Sequence, residues 1–257
     1  MKIAMIGAGA MGGATVEGLI KTENFKNEDI TVADPSQQVV ERFAKLGASV
    51  TTDNQMAAQD ADIVCVCVKP WLVEQVLKGI KEVLNPKKQI LIVIAAGVPS
   101  AKIKEWLPEC PPLFLMIPNI AIAQLASMTF VVPCGVATES QHTEQVKEIF
   151  DQMGQTIITD EQHLSSGTAL ASCGIAYALR YIRAAAEGGV QLGFRADDAT
   201  SIVAQTVKGA IALLESSGKH PEQLIDQVTT PGGVTIKGLN AMEEAGFTNA
   251  VIKGLTK

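Results

Sequence analysis

The chain begins MKIAMIGAGAMGGATVEGLI, and the glycines at positions 7, 9, 12 and 13 constrain it more than any other feature. A lysine followed by small apolar residues has some likeness to an export signal, but a signal needs an apolar stretch that can become helical, and these glycines interrupt one. Taken as a strand over residues 2–6, a turn, and a helix from about Ala10, the same stretch gives each glycine a task. Gly7 allows the tight turn, Gly9 lets the backbone approach a pyrophosphate, and Gly12 lets the helix pack closely on the sheet. The unpaired amides near Ala10 and Met11 and the positive end of that helix then face the phosphates. Alone such a turn can serve packing only; with a strand before it, a helix after it and an acid closing the second strand, it points to a dinucleotide ligand.

The rest of the N-terminal part agrees. KIAMI, ITVAD, DIVCVCV, ILIVIAAG, LFLMI and TFVVPC read as strands, and amphipathic segments such as SQQVVERFAKLG and PWLVEQVLKGIKEVL lie between them. That alternation predicts an α/β fold with a Rossmann-like, doubly wound parallel sheet over residues 1–160. After Glu161 the strands stop. Residues 164–191 and 195–217 read as long helices, with two shorter ones after Pro221 and Gly233, so residues 161–257 form an all-helical domain. A chain of 257 residues has room for both.

With 47% hydrophobic and 19% charged residues the chain is globular, and a net charge of −6 argues against nucleic acid or an anionic membrane as partner. A small-molecule ligand fits better. The five cysteines include no C-x-x-C pair and no metal-ligand spacing, and they read as reduced core thiols of a cytoplasmic protein. The most membrane-like stretch, residues 167–193, is cut by Arg180 and Arg183. Its Ala, Ser and Gly content suits close helix packing between two subunits, which predicts a homodimer through the C-terminal helices.

Asp34, in ITVADPS, closes the second strand at the separation from the glycine turn expected of a ribose-binding acid. Its carboxylate can accept from both adenosine ribose hydroxyls and would repel a 2′-phosphate, which favours NADH within an NAD(P)H site. Two other readings stay open: Asp34 caps the next helix together with Pro35 and Ser36, or Ser36 donates to a 2′-phosphate.

Later motifs narrow the class. CVKP (67–70), AAGV (95–98) and MIPN (116–119) end successive strands, and QTVKGA, HPEQLIDQV and TTPGGVTIKGL (229–239) follow in the helical part. In this order, over essentially the whole chain, they resemble the pyrroline-5-carboxylate reductase family, which closes proline biosynthesis. The resemblance implies that Val68, Lys69 and Pro70, with Ala95, Ala96 and Gly97, flank the nicotinamide ribose. It also implies that Asn54 contacts the adenosine ribose and that Asn119 lies near the nicotinamide. Gly232, Gly233 and Val234 would form an amide nest for a substrate carboxylate. Thr235 would donate its hydroxyl to the substrate and is the candidate catalytic residue. The implied reaction is hydride transfer from NAD(P)H to the C=N bond of 1-pyrroline-5-carboxylate. It implies interleaved subunits and leaves room for higher assembly.

The match also departs from the family pattern. Where the family reads Arg-Val-Met-Pro-Asn-Thr-Pro-Ala, this chain has Leu115 for the arginine, Ile120 for the threonine and Ala121 for the proline. Gly-Ser-Gly-Pro-Ala-Tyr is represented by SCGIAY, with Cys173 and Ile175 for the serine and proline. These changes leave two alternatives standing: a diverged imine reductase with another substrate, and a nucleotide-binding regulator without turnover. A β-hydroxyacid dehydrogenase would want a lysine on the first long interdomain helix, and residues 164–191 contain none.

Overall fold

The computed structural model describes residues 1–22, 25–139 and 141–257. Its first unit, Met1–Ser172, runs β1 (Ile3–Ile6), α1 (Ala10–Lys21), β2 (Ile30–Ala33), α2 (Gln37–Ala44), β3 (Ser49–Thr51), α3 (Asn54–Gln59), β4 (Ile63–Val66), α4 (Val73–Ile80), β5 (Ile90–Val93), α5 (Ser100–Trp106), β6 (Leu113–Ile117), β7 (Ser127–Cys134), α6 (Gln141–Asp151), β8 (Gly154–Ile158) and the short α7 (Leu164–Gly167). The strands form one eight-stranded sheet in the order β3-β2-β1-β4-β5-β6-β7-β8.

Strands β1, β4, β5 and β6 are buried along their whole length, because helices cover both faces of the sheet. Alternate residues feed two separate apolar layers. Ile3, Met5, Ile63, Cys65, Ile90, Ile92, Phe114 and Met116 pack with α1, α2 and α6 through Val16, Leu19, Phe43, Val146 and Phe150. Ala4, Ile6, Val64, Val66, Leu91, Val93, Leu113 and Leu115 pack on the other face against Ala58, Leu77, Ile80 and Ile103 of α3, α4 and α5.

The sheet is parallel except where β7 runs antiparallel to β6. Residues 118–126 between them hold only a 3₁₀ turn, Ile120–Gln124, and are too short for a parallel crossover. The purely parallel sheet expected from the alternation is corrected at that point. Strands β3 and β8, both at the sheet edges, were absent from the sequence reading because SVT and GQTII are short and partly polar.

The second unit, Cys173–Lys257, holds α8 (Gly174–Gln191), α9 (Ala196–Ser217), α10 (Pro221–Gln227), α11 (Val234–Glu244) and α12 (Phe247–Thr256). Ala186 and Ala199 are its buried hydrophobic residues, and a Cβ built on Gly189 would lie 2.9 Å from Ala199 Cβ, so α8 and α9 approach closely through small residues. Tyr181 meets Phe247 edge-on at 6.5 Å, and the Tyr177 hydroxyl donates to the Gly254 carbonyl at 3.1 Å, which holds α12 on α8. The helix expected over 164–191 is interrupted by a π-helical turn at Thr168–Cys173. The last shorter helix is divided at Gly246, whose φ of 82° ends one segment and opens the next.

Candidate functional site

The strand order reverses between β1 and β4, and in an open α/β sheet the crevice beyond the carboxyl ends of such strands is where a ligand sits. Gly7 leaves β1 there with φ 88°, its amide donating to the Ala33 carbonyl at 2.8 Å. A Cβ at Gly7 would collide with the Cys67 carbonyl, and one at Gly12 would collide with the Gly7 carbonyl. These two glycines are therefore required by the packing of the turn itself. Gly9 differs: a Cβ built there meets nothing within 4 Å. Gly9 is the N-cap of α1, no side chain caps that helix, and its first turn carries no acid, so its leading amides are open to an anion.

A groove of about 740 Å³ opens at this point. Gly7, Gly9, Ala10, Met11, Gly12, Asp34, Asn54, Val68, Lys69, Pro70, Ala95 and Ala96 line it, which gathers most of the expected cofactor residues in one place. Volume and lining suit a dinucleotide, and the open space over Gly9 is where a pyrophosphate would lie. Asp34 ends β2 at one end of the groove. Its Oδ2 accepts from the Ala8 amide and its Oδ1 from the Ser36 amide, each at 2.9 Å. A carboxylate has about four acceptor positions, so it retains capacity for a ribose. Asp53, not Asn54, caps α3, through the amides of Gln55 and Met56. Asn54 is left facing the groove.

Not every expected residue lines the groove. The Ser36 amide holds Asp34, but Ser36 is outside the lining. Gly97, with φ 76°, borders an adjoining cavity of about 260 Å³ together with Leu115, Glu161 and Thr168. Glu161 closes that side by accepting from the Ser100 amide at 2.9 Å and its hydroxyl at 2.6 Å. Asn119 is 4% exposed. Its side chain accepts from the Ala121 amide at 3.0 Å and donates to the Ala171 carbonyl at 3.4 Å, while its backbone amide donates to Ser127 Oγ. Gly232, Gly233, Val234 and Thr235 belong to the second unit. There Gly232 has φ 71°, Gly233 caps α11, and Thr235 lies exposed in that helix's first turn.

Several lining residues escaped the sequence reading. Cys67 lies against the glycine turn, and burial pushes its thiol up to about 12, so at neutral pH it is an uncharged neighbour. Leu72, Gln75 and Val76 form the wall near Asn54, and Pro118, Thr168 and Ser172 form the opposite end. Thr168 and Ser172 lie on the π turn, a helix irregularity whose hydrogen-bond register composition does not reveal. Among the described residues no cluster of His, Cys, Asp and Glu could hold a metal. Among the described residues no helix is long and apolar enough to cross a membrane.

Comparison with known proteins bears on both halves of the chain. Residues 161–257 match the family described as pyrroline-5-carboxylate reductase dimerisation, and residues 2–97 match NADP oxidoreductase coenzyme F420-dependent. Pyrroline-5-carboxylate reductase 1 of Dictyostelium discoideum is 38% identical over 98% of this chain, which spans about half, 48%, of that relative's length. Pyrroline-5-carboxylate reductase of Methanosarcina acetivorans is 35% identical over 98% of this chain and 94% of its own. The crystal structure of Plasmodium falciparum pyrroline carboxylate reductase with NADP bound superposes with a TM-score of 0.90 at 25% identity, covering 100% of this chain and 94% of that one.

Proposed function

The chain belongs to the pyrroline-5-carboxylate reductase family, NAD(P)H-dependent oxidoreductases acting on a C=N bond, and on that premise we propose that it reduces 1-pyrroline-5-carboxylate to proline. The observation that carries this reading is the groove at the β1/β4 switch point, with a glycine turn open only at Gly9 and a wall running from Asp34 to Ser172. Bound NAD(P)H supplies the hydride for the imine carbon. The chain's own part is to hold the reactants, exclude water and keep charge from building on the ring nitrogen.

Residues 1–160 serve the dinucleotide and 161–257 serve dimerisation and substrate. Amides around Gly232, Gly233 and Val234 hold the substrate carboxylate, and the Thr235 hydroxyl donates toward the ring nitrogen. His142 and His163, in the same unit as the groove, are not among its lining residues. His220 caps α10, and His163 pairs with Asp160 at 2.8 Å, so both have local tasks. Asp34 tilts the choice of cofactor toward NADH. The apolar side chains exposed on α8 and α9 are covered by a second copy of the chain, and the free cysteines suit a cytoplasmic protein.

Steady-state oxidation of NADH and NADPH, with and without 1-pyrroline-5-carboxylate, tests the activity. Imine-dependent turnover supports it. Binding of cofactor without imine-dependent turnover refutes it, and directs attention to Leu115, which lines the cavity beside the groove.

A further inference from the structure

The π turn at Thr168–Cys173 leaves the normal helical register next to the groove, and it is fastened to the end of β6 by two hydrogen bonds. The Ser172 hydroxyl donates to the Pro118 carbonyl at 3.1 Å, and the Asn119 side-chain amide donates to the Ala171 carbonyl at 3.4 Å. A third bond lies within the turn region, from the Thr168 hydroxyl to the Leu164 carbonyl at 2.8 Å. Pro118, Thr168 and Ser172 all line the groove, at the end that also holds Ala95 and Ala96. A π turn widens a helix and gives up part of its regular ladder, so its shape depends on bonds from outside.

We infer that Ser172 is a positioning residue for the nicotinamide end of the groove: its hydroxyl, on the Pro118 carbonyl, sets the distance between the π turn and the end of β6. This rests on the reading of the groove as an NAD(P)H site. In the motif Gly-Ser-Gly-Pro-Ala-Tyr the first position is glycine, which has no side chain to make this bond, and here it is Ser172. The family pattern that the chain resembles has prolines where this chain has Ala121 and Ile175. The two side-chain bonds across the gap restrain a turn whose own backbone ladder is irregular. Asn119 alone would leave the turn held at one point through a long bond. With Ser172 the turn is held at two adjacent residues, which fixes its rotation as well as its distance.

The variants are Ser172→Ala, which removes the donor, and Ser172→Thr, which retains it. Fluorescence of bound NADPH and NADH reads the nicotinamide directly, and titration of the same signal gives Kd. In Ser172→Ala the emission of the bound nicotinamide should fall about two-fold or more with Kd for the cofactor changed less than about three-fold, and kcat for imine reduction should fall about ten-fold. Ser172→Thr should recover most of both signals, and the Tm without cofactor should match wild type for each variant. Unchanged nicotinamide emission in Ser172→Ala overturns the inference, as does an equal deficit in Ser172→Thr or a loss that follows Tm. Absence of imine-dependent turnover in the wild type refutes the proposed reaction instead, and the fluorescence comparison still decides the role of Ser172.

Discussion

The Asp34 carboxylate holds the Ala8 amide at 2.9 Å, joining the end of β2 to the middle of the glycine turn. The same side chain holds the Ser36 amide, so one residue shapes both loops at its end of the groove. Asp34→Ala removes this brace along with the proposed ribose acceptor and the negative charge. The kcat/KM with NADH should fall about ten-fold. With NADPH the fall should be smaller, since loss of repulsion toward the 2′-phosphate offsets part of the damage. The measurement is the ratio of the two kcat/KM values. An unchanged ratio would remove Asp34 from cofactor selection while leaving its bond to Ala8 intact as a structural fact.

Gly9 and Gly12 separate binding from folding within the same turn. At Gly12 an added methyl meets the Gly7 carbonyl, so Gly12→Ala should cost about 2 kcal/mol or more of stability without any ligand present. At Gly9 the methyl meets no protein atom within 4 Å, and φ is an ordinary −64°. Gly9→Ala should keep the apo Tm and weaken NAD(P)H by about ten-fold, because the methyl enters the space where a pyrophosphate would lie. Thermal melts of the apo proteins and cofactor titrations check both, and an unaltered cofactor Kd in Gly9→Ala would place the phosphates elsewhere.

The sequence carries some parts of this fold and groove openly and hides others. The glycine turn and Asp34 were readable because their spacing reflects backbone geometry that only glycine and a short acid supply. The buried strands were readable as continuous apolar runs. β3 and β8 were hidden, because an edge strand needs little apolar sequence and can be as short as Ser49–Thr51. Thr168 and Ser172 were hidden for another reason: their place on the groove follows from the π turn, which composition does not encode. The one available signal was the hydroxyl at the first position of SCGIAY, where the family motif has glycine. Asn119, expected near the nicotinamide, has polar atoms engaged with Ala121, Ser127 and Ala171.

The thiols make a pH prediction. Burial raises Cys67 from 9.0 to about 12 and Cys110 from 9.0 to about 11. The folded state therefore retains protons that the unfolded chain releases above pH 9, and stability from these groups is complete below that pH and declines as pH rises toward the folded values. The Tm should hold between pH 7 and about 8.5 and then fall, and a Cys67→Ala, Cys110→Ala double variant should fall less steeply. In native protein at pH 8, iodoacetamide should modify the exposed Cys173 well before Cys65 or Cys67. Equal labelling of the three would contradict the packing of β4.

The helical unit predicts its own partner. Leu179 is 59% exposed, Leu192 82%, Ile211 51% and Leu213 56%, far more apolar surface than a lone pair of packed helices can leave in water. Light scattering at micromolar concentration should read twice the chain mass or an even multiple of it. Ile211→Asp with Leu213→Asp should shift the protein toward monomer and lower activity in parallel, as expected if residues 161–257 act as the dimerisation domain. A monomeric wild type with full activity would overturn this assembly.

Thr235 tests the chemistry with little interference from folding. It lies exposed in the first turn of α11, just after Gly233, so removing its hydroxyl takes away no bond that holds the described fold together. A neutral hydroxyl donor that keeps charge off the imine nitrogen would act mainly as the hydride arrives. Thr235→Ala should therefore lower kcat/KM for the imine about ten-fold or more, with kcat carrying most of the loss and the Tm unchanged. Thr235→Ser, which retains the hydroxyl, should recover most of the rate. A near-wild-type kcat in Thr235→Ala would remove the residue from the mechanism.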